Sequence, residues 1–209
     1  LKKKYRKENC LLFESGSIIG SIKSDTAFST KSNKFDYLIK SYTNLNYDAI
    51  FPSLGDLSDT FAFSNLLQIP APKILTNAQL CGSEGIQFSK SVIIVKENIK
   101  FLILGAINDE IENKGYFIDT IESPVLAIKR EIKKNANKYD FIIISGIMPF
   151  DSVKNICLSV PTIDLFLWSD EFNELHSEKR IWNDAPIVNS GPYNRFIGAI
   201  ELNFNKHYF

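Results

Sequence analysis

The chain has 209 residues, of which 24 are basic and 24 acidic, so its formal net charge is zero. This length suffices for one domain with a sizeable core and is short for two. The charge balance argues against a nucleic-acid-binding protein, which usually carries a basic surplus. No apolar stretch is long enough to predict a membrane-spanning helix.

Cysteines and histidines restrict the chemistry further. Cys10, Cys81 and Cys157 lie far apart and form no C-x-x-C pair, which excludes a zinc ribbon, a thioredoxin motif and a c-type haem attachment site. An odd cysteine count also argues against a disulfide scaffold. Only His176 and His207 are available for a histidine-based site. Residues 1–10 are basic but precede no long apolar run, so we expect either a cytoplasmic chain or a leader removed before residue 1.

Short apolar runs rich in Ile, Val and Phe predict strands buried on both faces. In chain order they are residues 11–13, 49–51, 92–95, 101–104, 141–144, 163–167 and 196–200. The runs 92–95 and 101–104 flank the polar pair Glu97 and Asn98, which predicts a hairpin.

Helices are predicted between these strands. One covers residues 35–45, where apolar side chains form a single stripe. A second begins at Ser123-Pro124 and ends before Tyr139, and a third follows Pro149. Helices alternating with buried strands indicate an α/β architecture. The hairpin and the C-terminal strands predict that the sheets are mixed.

Functional groups of α/β proteins gather in loops beyond the carboxyl ends of strands, which here are residues 14–20, 52–59, 145–151 and 168–176. These loops contain no P-loop, G-x-S-x-G or H-E-x-x-H motif. Asp56 and Asp59 are interpreted as acids that complement a helix dipole. Asp170 and Glu171 are interpreted as solvated acids, and His176 as a surface histidine.

Several segments in these regions carry a family resemblance. Residues 47–56 read YDAIFPSLGD, residues 160–164 read VPTID, residues 186–202 read PIVNSGPYNRFIGAIEL and residues 11–16 read LLFESG. In order and spacing they resemble the N-terminal domain of 5′-nucleotidase-type metallophosphatases, the calcineurin-like phosphoesterases. The resemblance covers most of the chain from about residue 4.

The resemblance implies a four-layer α/β/β/α sandwich of two mixed β-sheets. It also implies that residues 1–209 form a single metallophosphatase-like domain without the C-terminal 5′-nucleotidase substrate domain. The family's opening Asp-x-His strand would lie before residue 1.

The departures from the family pattern fall on its chemistry. Such enzymes hold two metal ions with Asp, Asn and His ligands and generate a hydroxide nucleophile. The corresponding positions here form a degenerate site: Ser17, Leu54, Gly55, Asp56, Gly146, Asp170 and Phe172. Leu54, Gly55 and Phe172 offer no side-chain lone pair. The resemblance therefore predicts no catalytic residue, no bound metal and no cofactor.

The leading hypothesis is a catalytically inactive metallophosphatase-like protein that serves as a binding or structural subunit of a larger complex. The stretch from Tyr47 to Leu57 resembles a branch of exported bacterial 5′-nucleotidase-like proteins that are often associated with multihaem c-type cytochromes. This implies a cytochrome partner and a periplasmic location, without nucleic acid or membrane insertion. The alternatives are a residual phosphoesterase using Asp56, Asp170 and Glu171, and a nucleotide-binding module without catalysis.

Two aromatic side chains near the degenerate site, Trp168 and Phe172, have two interpretations. They form a partner-binding patch, because aromatic residues are enriched at interface centres. Alternatively, they pack into the space that a metal centre would occupy.

Overall fold

The computed structural model describes residues 9–15, 18, 28–57, 60–81, 88–110, 117–169, 178–189 and 198–203. Its strands are β1 (Phe13–Ser15), β2 (Ala49–Phe51), β3 (Lys73–Ile74), β4 (Ala78–Leu80), β5 (Phe88–Ser89), β6 (Val92–Lys96), β7 (Ile99–Ile107), β8 (Ile118–Ile121), β9 (Phe141–Ile147), β10 (Leu165–Ser169), β11 (Glu178–Trp182) and β12 (Ala185–Asn189). Its helices are α1 (Phe28–Leu45), α2 (Thr60–Gln68), α3 (Pro124–Lys134) and α4 (Phe150–Ser159). None of the described helices is long and apolar enough to cross a membrane.

The strands form two principal sheets. A six-stranded sheet has the order β11-β12-β10-β9-β7-β6, with antiparallel strands at both edges. A four-stranded sheet has the order β1-β2-β3-β5, and its described pairs are all parallel. Strands β4 and β8 form a separate antiparallel pair. Among the described strands, the predicted mixed character is seen in the six-stranded sheet, where two-residue hairpins add an antiparallel strand at each edge.

Three apolar clusters lie between four layers. Alternate residues of β7 point in opposite directions: Leu102 and Leu104 share a cluster with residues of α3 and α4, whereas Phe101 and Ile103 share one with Phe51 of the four-stranded sheet. The third cluster joins the other face of the four-stranded sheet to residues of α1 and α2. This order of layers confirms the α/β/β/α sandwich.

The predicted hairpin is confirmed. Strands β6 and β7 pair antiparallel and are joined by Glu97 and Asn98, whose φ angles are 48° and 69°. Two successive residues with positive φ are typical of a type I′ turn, whose twist matches the flanking strands.

Some predicted element boundaries were wrong. Helix α1 begins at Phe28, ahead of the predicted start at residue 35. Helix α2 had no predicted range, although Asp56 and Asp59 were interpreted as acids at a helix N-terminus. Residues 198–200 belong to no strand, so that part of the predicted strand 196–200 was wrong, while residues 196 and 197 lie outside the described chain. The helices after Ser123 and Pro149 are confirmed as α3 and α4.

Candidate functional site

A hydrogen bond between two serine side chains joins the two sheets near the carboxyl ends of their strands. Ser15 is the last residue of β1 in the four-stranded sheet, and Ser145 lies in β9 of the six-stranded sheet. Their Oγ atoms are 2.6 Å apart, and Ser145 is fully buried. This contact joins the end of β1 to β9 two residues before β9 ends, near the edge where functional groups of this fold class gather.

Asp56 connects the loops that follow β1 and β2. Its carboxylate oxygen Oδ2 accepts hydrogen bonds from the backbone N–H of Ile18 at 3.2 Å and of Ser53 at 3.0 Å. The Ser53 hydroxyl also donates to this oxygen at 3.0 Å. Asp56 is fully buried in a 3₁₀ turn that precedes α2. The interpretation of Asp56 as a helix-dipole acid stays a prediction, and the hydrogen bonds give its carboxylate a further role, in which it joins two loops.

Leu54 and Gly55 stand at the start of the same turn. Leu54 is partly buried and packs against the cluster between the four-stranded sheet and its helices. Gly55 opens the 3₁₀ turn and has no side chain. Neither position provides a side-chain atom that could bind a cation.

Gly146 faces the helices, on the opposite side of β9 from Ser145. A Cβ at this position would lie 2.8 Å from the ring of Phe166 and 3.0 Å from Cε of Met148. Phe166 is fully buried and cannot withdraw easily. A larger residue at position 146 therefore has no room without repacking of this core.

Trp168 is buried, with 3% of its surface exposed. Its indole Nε1 donates a hydrogen bond to the carbonyl oxygen of Met148 at 2.9 Å, and its ring centroid lies 4.9 Å from that of Phe150. The guanidinium of Arg180 lies over the Phe150 ring, 4.4 Å from its centroid. These contacts place Trp168 in the apolar cluster between the six-stranded sheet and its helices. They do not place it in the space that a metal centre would occupy, so that part of the packing interpretation stays a prediction. Phe172 lies outside the described residues.

Comparison with known proteins gives structural matches only. No family model and no curated protein sequence matches the chain. The NAD nucleotidase of Haemophilus influenzae matches with a TM-score of 0.68 and 13% identity, over 90% of this chain and 36% of that one. The 5′-nucleotidase precursor of Thermus thermophilus matches with a TM-score of 0.60 and 12% identity, over 90% of this chain and 40% of that one.

A third solved structure has a shorter chain. The calcineurin-like phosphoesterase YfkN of Bacillus subtilis matches with a TM-score of 0.59 and 19% identity, over 90% of this chain and 70% of that one. The chain has the metallophosphatase fold. Since it spans little more than a third of the two nucleotidases, and since the identities are low, these matches establish the fold alone.

Within the described ranges, no group of three or more His, Cys, Asp or Glu side chains lies close enough together to hold a metal ion. Ser17, Asp170 and Phe172, and also Asp59, Glu171 and His176, lie outside those ranges. Four positions of the predicted degenerate site are described, namely Leu54, Gly55, Asp56 and Gly146. Of these four, Asp56 alone has a side chain that could bind a metal ion, and its Oδ2 atom accepts hydrogen bonds from the protein.

A partly buried acid beside this site was not predicted. The side chain of Glu14 in β1 is hydrogen bonded to the side chains of Tyr42 and Tyr47, and Asp56 is a charged neighbour. Burial, with a smaller contribution from Asp56, raises the pKa of Glu14 from 4.5 to about 7. Burial and the nearby Glu14 raise the pKa of Tyr47 to about 12. The sequence signal was an acid inside an apolar strand, but the tyrosines that contact it come from α1 and the turn after it.

Replacing Glu14 with glutamine is expected to change how stability depends on pH. Because the folded-state pKa of this acid lies above 4.5, the native state binds more protons than the unfolded state between pH 4.5 and 7, and stability falls as the pH rises through that range. Glutamine cannot ionise, so Glu14→Gln should be more stable than the wild type at pH 8 by about 2–3 kcal/mol and nearly equal to it at pH 4. Urea unfolding at several pH values measures this difference, and parallel curves would contradict the prediction.

Proposed function

We propose that this chain is a metallophosphatase-fold protein without two-metal catalysis and that it acts by binding, as a structural subunit of a larger complex. The observation that carries the proposal is the pair Leu54 and Gly55 at positions where the resembled family has an asparagine ligand and a catalytic histidine. A hydrocarbon side chain and a hydrogen atom cannot coordinate a cation or transfer a proton. Loss of such groups commonly lowers metal affinity and activity by orders of magnitude.

The hydrogen bonds of the polar side chains described in this region support the proposal. Asp56 accepts hydrogen bonds from Ile18 and Ser53, and Ser145 is hydrogen bonded to Ser15. Buried polar groups that are satisfied within the protein stabilise a fixed loop geometry. Loops that are fixed by hydrogen bonds within the protein do not require a metal ion to keep their positions, as expected for a structural subunit.

The partner in this proposal is a protein, and the resemblance of residues 47–57 to cytochrome-associated proteins suggests a multihaem c-type cytochrome in the periplasm. The test is purification of the chain from its native extract under mild conditions. We expect it to elute within a complex larger than the single chain, with haem absorbance in the same fractions. Elution as an isolated chain would contradict the subunit role, and a complex without haem would contradict only the cytochrome.

Manganese is expected to have no effect on this protein. Because the proposed protein lacks a two-metal site, adding Mn²⁺ or EDTA should shift the midpoint of thermal unfolding by less than about 1 °C, whereas saturation of a specific site would raise it by several degrees. Hydrolysis of a generic aryl phosphate with added Mn²⁺ should stay at the background rate. An active calcineurin-like phosphoesterase, assayed in parallel, serves as the positive control.

The same measurements separate the alternatives. Hydrolysis that depends on Mn²⁺, together with metal in elemental analysis, would favour a residual phosphoesterase and overturn the proposal. A rise in the unfolding midpoint with nucleotides but without hydrolysis would favour a nucleotide-binding module.

A further inference from the structure

Among the strands that the structure describes, β6 lies at an edge of the six-stranded sheet, and it carries few of the features that protect edge strands from pairing. Its sequence is Val-Ile-Ile-Val-Lys, and it pairs with β7 in a regular register from Val92↔Ile103 to Lys96↔Ile99. It contains no proline and no bulge, the usual devices that prevent edge-to-edge association. Its lysine, Lys96, forms a 2.9 Å ion pair with Asp48, so the charge that would repel a second strand is neutralised.

The hairpin register determines which backbone groups of β6 face outward. In a two-residue hairpin, the residues that flank the turn form a hydrogen-bonded pair, and hydrogen-bonded and non-hydrogen-bonded pairs then alternate. Because Lys96 and Ile99 flank the turn, Ile94 also directs its N–H and C=O toward β7. Ile93 and Val95 direct theirs away from the sheet. Val95 in addition exposes 58% of its surface.

We propose that two copies of this chain associate by antiparallel pairing of β6 with β6, about a two-fold axis at Ile94. In this register, Ile93 of each copy lies opposite Val95 of the other, so the outward backbone groups form two hydrogen-bonded pairs. Ile94 lies opposite its own equivalent, and Lys96 lies opposite Val92. The pairing is self-complementary, opposes no like charges and follows the two-fold symmetry common in homo-oligomers. It does not depend on the proposed function.

The other edge strand, β11, cannot pair with a second copy of itself in this way without opposing like charges. Strand β11 is paired with β12 and joined to it by Asn183 and Asp184, so its outward backbone groups belong to Lys179 and Ile181 by the same alternation. Antiparallel self-pairing about the midpoint of β11 places Arg180 opposite Arg180. Like charges directly opposite each other destabilise a strand pair. The charge pattern therefore selects β6 as the self-pairing edge.

The test compares proline substitutions at the two edges. Since the N–H of Val95 faces away from β7, Val95→Pro leaves the internal ladder intact but removes a donor from each hydrogen-bonded pair of the proposed interface. We expect the full-length chain to form a dimer in sedimentation equilibrium between about 1 and 500 µM, and Val95→Pro to raise the dissociation constant roughly tenfold or more. Ile181→Pro, the matched variant on β11, should dimerise like the wild type, and Val95→Thr, which retains the N–H, should still dimerise.

Hydrogen exchange identifies the occupant of the edge. If a second copy binds there, protection of the Ile93 and Val95 amides rises with protein concentration and is lost in Val95→Pro. A wild-type monomer at every concentration would overturn the proposal. So would a dimer that survives Val95→Pro but not Ile181→Pro, or amide protection that is independent of concentration or requires a different protein.

Discussion

Replacing Trp168 with alanine is expected to lower the free energy of unfolding by about 3–5 kcal/mol, the range measured for large buried aromatic side chains. The side chain is 3% exposed and packs against Phe150. Its loss leaves a cavity and removes the donor to the Met148 carbonyl, which becomes an unpaired buried acceptor. Urea unfolding followed by circular dichroism measures the change.

Trp168→Phe is the matched control, because it retains an aromatic ring and removes the indole N–H. We expect it to cost about 1–3 kcal/mol, less than alanine, since most of the packing is kept. The partner-binding interpretation gives a different result. If Trp168→Ala unfolds like the wild type but no longer co-purifies with the native complex, then Trp168 acts at an interface and the packing interpretation is wrong.

The elements that the sequence predicted well are those determined by local pattern. The apolar runs 92–95 and 101–104 lie on either side of one polar turn, and both are strands of one hairpin. Helix α3 follows a Ser-Pro start and has a buried stripe that includes Ala127 and Ile128. The range of helix α2 was not predicted because its sequence, TFAFSNLLQ, is short and apolar, and such a run fits a strand or a helix equally well.

The site was less predictable, because its contacts join residues that are distant in sequence. The candidate site positions were predicted from the family resemblance, which gives no information on the contacts that their side chains make. The hydrogen bond between Ser15 and Ser145 joins strands of different sheets. The hydrogen bond from Ile18 to Asp56 joins two loops. Sequence periodicity reports which face of an element is apolar, and it contains no information on such pairs.

Asp56→Ala is expected to lower the free energy of unfolding by about 2–4 kcal/mol, because hydrogen bonds to a buried charged group are among the stronger contributions. Its carboxylate accepts bonds from two backbone N–H groups, at Ile18 and Ser53. Alanine leaves both donors without this acceptor and opens space in a buried turn. Asp56→Asn, which keeps one side-chain oxygen but no negative charge, should lose less stability than alanine.

The exchange rates of individual amides distinguish a loop-specific role from general destabilisation. In Asp56→Ala we expect the Ile18 and Ser53 amides to exchange faster than the rest of the core, because the loops after β1 and β2 lose the group that joins them. Asp48→Ala is the matched control, since Asp48 also accepts a backbone N–H, that of Leu12 at 2.9 Å, and precedes β2 at its opposite end. It should leave exchange at Ile18 and Ser53 unchanged relative to the core. Equal acceleration by both variants would mean that Asp56 contributes only to overall stability and that the loops are joined by other contacts.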